Sequence, residues 1–419
     1  MQRSLDDWLA YIQTVHFRSI DMTLERVREV LQRFDEPQSF KVMVVAGTNG
    51  KGSSAAMLGA ILDAAGYTTG VYTSPHLVRF NERIRSGGAP ADDPELCRAF
   101  EYVETRRGDI PLTYFEFATL AAVRVFQCHQ VRIAVMEVGM GGRLDAVNAL
   151  SIDASLITNV ELDHMQWLGN DREAIGSEKA HVMRAGRVSV FNGAHPPVSL
   201  LEHAFRIGTR LLMIGRDYGY RAAGDGWRWF GPRGETWSFD ALPLAGEVQM
   251  QNAAGVLALL TGCGVAGVDR DTAARGLGRT RIHGRCEIVR RDPMVMIDVA
   301  HNPSAMETLK AQLAANPVSG RTLAVFGLLK DKDLEGVIRS MNDHVDAWHV
   351  ATIRDERGQD ARTLADAMRA LVRGPVTCHD SAAHAYDNAL EDAREGDRIV
   401  GFGSFHIAGD ILAHMKRPS

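Results

Sequence analysis

The sequence has few cysteines and no arrangement of them that points to a shared site. Its 419 residues include five, Cys97, Cys128, Cys263, Cys286 and Cys378, with no CxxC pair. Their odd number and wide spacing argue against both a disulfide framework and a cysteine-based zinc site. We therefore expect free thiols in a reducing compartment, with the cytoplasm as the default location.

Long hydrophobic runs and an excess of one charge are also missing. No apolar run reaches the 18 or so residues that a membrane-spanning helix needs, and Asp6 and Asp7 stand where a signal peptide has its apolar region. Lys and Arg number 47 against 52 Asp and Glu, which gives a net charge of −5. Because the sequence has no basic block, we do not expect nucleic acid or a membrane surface as a partner. The expected partners are small molecules.

What is present is enough chain for two or three domains with a sizeable core. Short apolar strands alternate with helical patterns through residues 41–191 and again after residue 282, which predicts parallel sheets. Residues 216–243 mix aromatic residues with turn signals and predict a small antiparallel β appendage. The predicted fold class is α/β, with a large doubly wound P-loop-type domain carrying the appendage (1–282) and a smaller Rossmann-like domain (283–419).

A glycine-rich loop follows the first buried strand. The run from Gly47 to Ser53, GTNGKGS, stands between the strand KVMVVA and the helical segment SSAAMLGAILDAAG. There, backbone N–H groups and a helix N-terminus can hold phosphate, and Lys51 can neutralise the β and γ phosphates of a nucleotide. The spacing departs from GxxxxGK[ST], so an ordinary glycine turn is the alternative. The flanking elements favour ATP, and Ser53 and Ser54 are expected to cap the helix.

Oxygen ligands for Mg²⁺ are expected where strands end. Ser74 ends one predicted strand, Glu137 ends another before a glycine turn, and Asp163 and His164 follow a third. In open α/β sheets ligands bind beyond the carboxyl ends of the strands, so these side chains could converge on Lys51. A histidine after a strand is by itself more often a capping or core residue, and only the nearby phosphate loop favours a ligand.

Eight motifs occur in order along the chain: AGTNGKGS, YTSPHLVRFNERIR, LTYFEFATL, EVGMGGRLDAVN, LDHMQWLG, EKA at 178–180, HGR at 283–285 and DVAHNP at 298–303. In these motifs the chain resembles the Mur ligase superfamily and, within it, the folate branch, the bifunctional dihydrofolate synthases/folylpolyglutamate synthases of bacteria. The similarity extends from about Trp8 to about His406, which is nearly the whole chain.

The resemblance implies an ATP-dependent amide ligase. The γ-phosphate of ATP would pass to a carboxylate of a pterin substrate, and the amine of L-glutamate would then attack the acyl phosphate. The implied acceptors are 7,8-dihydropteroate and tetrahydrofolates. The implied cofactors are ATP and Mg²⁺, with two metal ions, a monovalent cation and a monomeric state as further expectations. Closure about a hinge near Ile282 would exclude water from the acyl phosphate.

The resemblance also assigns individual residues. The implied catalytic residues are Lys51, Lys179 as a carboxylated lysine, and His301, which would orient the glutamate. The implied nucleotide-binding residues are Thr48, Asn49, Gly50, Lys51, Gly52, Ser53, Asn252, Arg285 and Asp298. The implied metal ligands are Ser74, Glu137, His164 and carboxylated Lys179. The implied pterin-binding residues are Asp21, Met22, Thr23, Thr113, Tyr114, Phe115, Glu116, Leu144, Asp145 and Ala146.

Several of these residues have simpler alternatives. Lys179 would otherwise be a surface lysine in a helix, although a carbamate there would present two oxygens and a negative charge to Mg²⁺. His301 could cap the helix that begins near Pro303, and Asp21 and Thr23 could cap the helix LERVREV.

The sequence departs from the family pattern at three places. Leu329 to Asp333 reads LKDKD, where relatives often carry a histidine; QMQ precedes Asn252 where a proline is common; and His283 replaces the proline before Gly-Arg.

The rival functions are a folylpolyglutamate synthase alone, another Mur-type amide ligase acting on a UDP-sugar peptide, and a regulatory NTPase. A UDP-sugar ligase would need an N-terminal uridine domain, for which a phosphate loop at Gly47 leaves no room.

Overall fold

The chain divides into two compact units. The first comprises the chain up to Pro75, Phe80–Pro243 and Val248–Arg281, and the second comprises His76–Arg79, Leu244–Glu247 and the chain from Ile282 onward. The structure is a computed structural model that describes residues 3–244 and 246–416. The division after Arg281 lies next to the predicted boundary, while the sequence had placed His76–Arg79 and Leu244–Glu247 in the first domain.

An eight-stranded sheet forms the centre of the first unit. Its strands are β1 (Lys41–Ala46), β2 (Thr69–Tyr72), β3 (Ile84–Ser86), β4 (Ala89–Pro90), β5 (Ile133–Glu137), β6 (Ala154–Ile157), β7 (Val188–Phe191) and β8 (Arg210–Met213). Their order is β4-β3-β2-β5-β1-β6-β7-β8, parallel except for the antiparallel pairs β2–β3 and β3–β4. The buried apolar residues of β1 and β5 explain why both strands lie in the middle.

Helices cover this sheet. They are α1 (Leu5–Ile12), α2 (Glu25–Gln32), α3 (Lys51–Ala64), α4 (Asp93–Arg107), α5 (Tyr114–Cys128), α6 (Met165–Leu168), α7 (Arg172–Ala180), α8 (Val198–Ile207), α9 (Glu247–Gly262) and α10 (Arg270–Arg279). Short 3₁₀ helices lie at Phe80–Arg83 and Ala146–Ala149. The α5 helix begins at Tyr114 because Thr113 and Glu116 form a capping box at its N-terminus.

The predicted β appendage is a three-stranded antiparallel sheet. Its strands are β9 (Gly219–Ala223), β10 (Gly226–Phe230) and β11 (Thr236–Phe239). Trp227 and Trp229 of β10 are buried, and Trp229 Nε1 donates to Ala254 O of α9 at 3.2 Å. The aromatic residues that marked this segment in the sequence therefore anchor it to a helix.

The second unit has a six-stranded mixed sheet. Its strands are β12 (Glu287–Arg291), β13 (Met294–Ile297), β14 (Thr322–Phe326), β15 (Ala347–Ala351), β16 (Val376–His379) and β17 (Arg398–Phe402), in the order β12-β13-β17-β14-β15-β16. Only β12 pairs antiparallel. Its helices are α11 (Pro303–Ala315), α12 (Leu334–Met341), α13 (Ala361–Met368), α14 (Ala382–Asp392) and α15 (Phe405–Met415), with a 3₁₀ turn at Asn342–His344. The predicted α/β class is confirmed for both units.

Two further predictions concern the cysteines and membrane-spanning helices. All five cysteines are free thiols, as expected. Within residues 3–244 and 246–416, no helix combines the length and the apolar character needed to cross a membrane.

Asp397 supports the second unit through several hydrogen bonds. It is buried and accepts from Arg321 N (2.6 Å), Arg321 Nη2 (2.7 Å) and Arg394 N (3.0 Å). Burial alone would raise the pKa of Asp397, but these N–H donors outweigh it and hold the pKa below its ordinary value. Because the folded-state pKa is depressed, this stabilisation is present above about pH 4 and is lost as the pH falls through the lowered pKa.

We expect Asp397→Asn to lower the free energy of unfolding by about 2 kcal/mol at pH 7, since an amide at this buried position leaves some of the N–H donors unpaired. The loss should shrink as the pH approaches 3. Urea denaturation at several pH values measures this, with the exposed Asp366→Asn as the matched control. An equal and pH-independent effect of both substitutions would contradict the assignment.

Candidate active site

The glycine-rich loop is a tight connection between β1 and α3. Gly47 and Gly50 adopt φ values of +140° and +82°. A Cβ at Gly47 would lie 1.9 Å from Thr158 Oγ1, and a Cβ at Gly50 would lie 2.7 Å from Asn252 Oδ1. Glycine is required at both positions because of the backbone geometry and the lack of space. The loop leads directly into α3, whose first N–H groups have no acceptor within the helix and can hold an anion.

Asn159, which no sequence motif marked, holds this loop. Its Oδ1 accepts hydrogen bonds from Thr48 N at 3.1 Å and Asn49 N at 2.9 Å. Thr48 Oγ1 also donates to Glu161 O at 3.1 Å. Because these two N–H groups are used within the protein, we expect the phosphate-binding N–H groups to come from the rest of the loop. The position of Asn159 just beyond β6, at the carboxyl edge of the sheet, is the signal that could have identified it.

The prediction that Ser53 and Ser54 cap α3 is wrong. The helix begins earlier, at Lys51, with Gly50 as its N-cap in the left-handed conformation that glycine tolerates. Both serine hydroxyls are buried and find no hydrogen-bond partner among the residues that the structure describes. Buried polar groups normally have a partner. Ser53 lies in the first turn of α3, where a phosphate or metal ligand would supply one.

Two lysines approach the same carbonyl oxygen. Lys51 Nζ donates to Gly47 O and Thr48 O, each at 3.0 Å, and Lys179 Nζ donates to Gly47 O at 3.0 Å. Lys179 lies on α7 and is 4% exposed, so the surface-lysine alternative is wrong. Burial and, after it, the nearby charge of Lys51 lower the pKa of Lys179 to about 7. A lysine with this pKa is largely a neutral, nucleophilic amine in mildly alkaline solution.

The predicted metal ligands Ser74 and Glu137 lie together. Glu137 ends β5 next to Val45 of β1, is buried, and accepts from Ser74 N at 3.0 Å through Oε2. His164 precedes α6 with φ +51°, and its Nε2 lies 4.0 Å from Asp163 Oδ2. A buried carboxylate beside a phosphate loop and the unpartnered Ser53 hydroxyl fit a hard divalent cation.

The metal prediction needs ligands of several types. Over residues 3–244 and 246–416, no three His, Cys, Asp or Glu side chains are grouped so that they could hold a metal ion. The predicted set includes only two residues of these types, Glu137 and His164. It therefore depends on a serine oxygen, on the carbamate of Lys179 and on phosphate oxygens of the nucleotide.

The glycine turn at residues 139–142 gathers predicted pterin and catalytic residues. A Cβ at Gly139 would lie 2.7 Å from the ring of Phe115, and one at Gly141 would lie 3.5 Å from Met22 Cε. A Cβ at Gly142 would lie 3.1 Å from Lys179 Cα. The turn therefore packs against α5 and the segment before α2 on one side and against α7 on the other.

Two carboxylates assigned to the pterin are bound by Arg26, which the sequence analysis missed. The Arg26 guanidinium donates to Asp21 Oδ2 at 2.8 Å and to both oxygens of Glu116 at 3.2 Å. Glu116 Oε2 also accepts from Thr113 N and Oγ1. Thr23 Oγ1 accepts from Glu25 N at 3.2 Å. The N-cap of α2 is Leu24, which makes no side-chain cap hydrogen bond, so the capping alternative for Asp21 and Thr23 is wrong.

Asp145 is buried and already hydrogen-bonded. Its Oδ1 accepts from Val147 N and its Oδ2 from Met140 N, each at 3.0 Å. Burial raises the pKa of Asp145 to about 6 despite these bonds. The other predicted pterin residues lie nearby in the chain: Leu144 is half-buried, Ala146 is buried, and Tyr114 lies with the Arg83 guanidinium 5.4 Å from its ring centre.

Asn252 on α9 belongs to the surroundings of the phosphate loop. It is buried, its Nδ2 donates to Gln249 Oε1 at 3.1 Å, and its Oδ1 faces Gly50. Gln249, the first residue of QMQ, therefore helps to orient Asn252. The structure thus brings the predicted nucleotide residue Asn252 to the loop.

The remaining predicted residues lie in the second unit. Asp298 is buried and accepts from Cys286 N at 2.7 Å and Ala300 N at 2.6 Å. The Arg285 guanidinium lies 5.5 Å from the ring centre of Phe405. His301 Nδ1 lies 2.8 Å from Val299 O.

The helix cap that the sequence analysis considered for His301 is supplied by its neighbour. Asn302 is the N-cap of α11 and its Oδ1 accepts from Ala305 N at 2.9 Å. The capping alternative for His301 is therefore wrong, because an asparagine one residue later has the shorter polar side chain that reaches the N–H groups of the first turn.

Comparison with known protein families divides the chain in the same places. Residues 45–260 match the Mur ligase middle domain, and residues 284–405 match the glutamate ligase domain of Mur ligases. The first match contains the phosphate loop, Glu137, Lys179 and Asn252. The second contains Arg285, Asp298 and His301.

Known proteins and structures are similar over nearly the full length. The dihydrofolate synthase/folylpolyglutamate synthase of Escherichia coli is 38% identical over 97% of this chain and 94% of its own. A structure of the E. coli protein with DHPP and ADP has a TM-score of 0.91 at 38% identity, covering 99% of this chain and 98% of that one. A bifunctional folylpolyglutamate synthase/dihydrofolate synthase with Mn, AMPPNP and L-glutamate bound has a TM-score of 0.89 at 36% identity, covering 99% and 98%.

Proposed function

Because the chain belongs to the Mur ligase family and, within it, to the dihydrofolate synthases/folylpolyglutamate synthases, we propose that it joins L-glutamate to 7,8-dihydropteroate and to the γ-carboxylate of tetrahydrofolates. The reaction consumes ATP and passes through an acyl phosphate. The observation that carries this proposal is the meeting of Lys51 and Lys179 at the Gly47 carbonyl, at the N-terminus of α3. A phosphate-binding loop with a second, buried amine suits an enzyme that activates a carboxylate.

The chemistry requires positioning and charge neutralisation more than a protein nucleophile. The substrate carboxylate attacks the γ phosphorus and ADP leaves; the glutamate amine then displaces phosphate and an amide forms. Lys51 would exchange its loop carbonyls for phosphate oxygens, and the first N–H groups of α3 would hold the others. Ser74, Glu137, His164 and Lys179 would hold Mg²⁺, which supplies further charge neutralisation when bound.

Lys179 would act as a carbamate. Its neutral amine attacks CO₂, an N–C bond forms and a proton leaves to solvent, so that the side chain gains two oxygens and a negative charge. An ammonium in the same place would be repelled by Mg²⁺. The lowered pKa of Lys179 supports this proposal because it makes the unprotonated amine available.

Several finer assignments belong to the same proposal. Residues 48–53, Asn252, Arg285 and Asp298 would bind ATP, and His301 would orient the glutamate. Two magnesium ions, a monovalent cation, a monomeric state and a cytoplasmic location stay predictions. Equilibrium dialysis with Mn²⁺ and AMPPNP measures the ion count, and sedimentation measures the oligomeric state.

The test of the function is acceptor-dependent ADP formation. Purified protein with ATP, Mg²⁺ and L-glutamate should release ADP only when 7,8-dihydropteroate or tetrahydrofolate is added, and mass spectrometry should detect the acceptor with one added glutamate. Activity with tetrahydrofolate alone would reduce the function to folylpolyglutamate synthase. Stimulation by neither acceptor would remove the folate assignment and favour another Mur-type ligase. ADP release without acceptor or glutamate would instead indicate an NTPase.

A further inference from the structure

Arg26 joins two segments that border the glycine turn. It lies on α2, its side chain is 16% exposed, and its Nη2 contacts Glu116 Oε1 at 3.0 Å. The same nitrogen donates to the Asp21 backbone oxygen at 2.8 Å, while Nη1 donates to Asp21 Oδ2 at 2.8 Å. One planar guanidinium thus fixes both the backbone and the side chain of Asp21 against α5.

After these bonds are made, the three carboxylates near the turn differ in how many further hydrogen bonds they can accept. Both Glu116 oxygens accept from Arg26, and both Asp145 oxygens accept backbone N–H groups. Asp21 Oδ2 accepts from Arg26 and lies 3.3 Å from His16 Nε2. Asp21 Oδ1 has no hydrogen-bond partner among the described residues, and its side chain is 28% exposed.

The histidine adds a second constraint on Asp21. The His16 side chain is 3% exposed, and its Nδ1 accepts from Arg18 N at 3.0 Å. The same Nδ1 lies 2.9 Å from Arg18 O, so the two contacts with Arg18 fix the imidazole ring with Nε2 3.3 Å from Asp21 Oδ2. Arg26 and the His16 ring therefore flank Oδ2 of Asp21, and Oδ1 stays available in a side chain that is partly exposed.

We propose that Arg26 is a positioning residue for recognition of the acceptor substrate, acting by presenting Asp21 Oδ1 to an N–H donor of the pterin ring. The inference rests on the proposed function. The next residue, Met22, packs against Gly141, which places Asp21 beside the turn that also contacts Phe115 and α7. A pterin ring carries an amino group and a ring N–H, and an ionised carboxylate oxygen is a strong acceptor for either. Glu116 serves as the counter-ion and anchor of Arg26.

Kinetics of Arg26→Ala and Arg26→Lys test this role. The KM for 7,8-dihydropteroate should rise at least about tenfold in Arg26→Ala, while the KM for ATP stays within twofold. Arg26→Lys should recover little, because one ammonium cannot span Asp21 and Glu116. The matched control is Arg33→Ala on the same helical segment, whose guanidinium binds the carbonyls of Arg106 and Arg107. That variant should leave both KM values unchanged.

A double variant separates positioning from folding. Asp21→Asn should raise the dihydropteroate KM by itself, and adding Arg26→Ala should not raise it further if Arg26 acts through Asp21. Multiplicative effects, or equal changes in the KM for ATP, would overturn the inference. If Arg26→Ala does not fold, Arg26→Lys and Asp21→Asn still decide it. A wild-type protein without acceptor-dependent ADP formation would refute the proposed function, whereas an active one with unchanged KM in the variants refutes only the role of Arg26.

Discussion

Lys51→Ala is expected to lower kcat for acceptor-dependent ADP formation by about a thousandfold. Removing one preorganised donor to a transition state commonly has an effect of this size, and Lys51 is the cation of the phosphate loop. The two hydrogen bonds of Lys51 go to loop carbonyls three and four residues away, and water can replace them. The fall in kcat should therefore reflect the missing charge at the transferred phosphoryl group and not a collapsed loop.

Two comparison variants make this result interpretable. Lys51→Met keeps the length of the side chain without its charge, and should be as inactive as Lys51→Ala. Lys310→Ala removes a surface lysine that pairs with Glu307 in the second unit, and should retain wild-type kcat. A rate for Lys51→Ala within tenfold of wild type would mean that the loop does not hold the phosphates.

Lys179→Ala should lower kcat by about a hundredfold or more, since it removes a proposed metal ligand. Millimolar formate or acetate should restore part of the activity of Lys179→Ala, because a small carboxylate can occupy the volume and supply the oxygens of the lost carbamate. Lys179→Arg provides the control, because its guanidinium fills the same space and cannot form the carbamate. Rescue of the arginine variant, or none of the alanine variant, would contradict the carbamate assignment.

The activity of the wild-type protein should depend on carbon dioxide. The pKa of Lys179 is about 7, so the neutral amine amounts to about one tenth at pH 6 and about nine tenths at pH 8. At equal concentrations of dissolved CO₂, reactivation of CO₂-depleted protein should therefore be faster at pH 8 than at pH 6. The formate-rescued Lys179→Ala should show no dependence on bicarbonate.

The phosphate loop illustrates how far sequence reasoning reaches. The apolar run of β1, the glycines after it and Lys51 are contiguous, and the strand and helix that flank the glycines favour a phosphate-binding turn over an ordinary one. The α/β class follows for the same reason, because alternation of short apolar strands and helices is a local pattern. Ser53 was misplaced because two hydroxyl residues resemble a cap unless the left-handed conformation of Gly50 is known.

The sequence by itself determined the order of strands and helices, the loop and the set of side chains that can reach the carboxyl edge of the sheet. Tertiary structure alone decided which of those side chains are already hydrogen-bonded within the protein. Arg26 and Glu116 are 90 positions apart, and Asn49 and Asn159 are 110 apart. No local spacing encodes such pairs. They form because parallel strands and packed helices bring distant segments within hydrogen-bond reach, where burial gives each polar group a strong need for a partner.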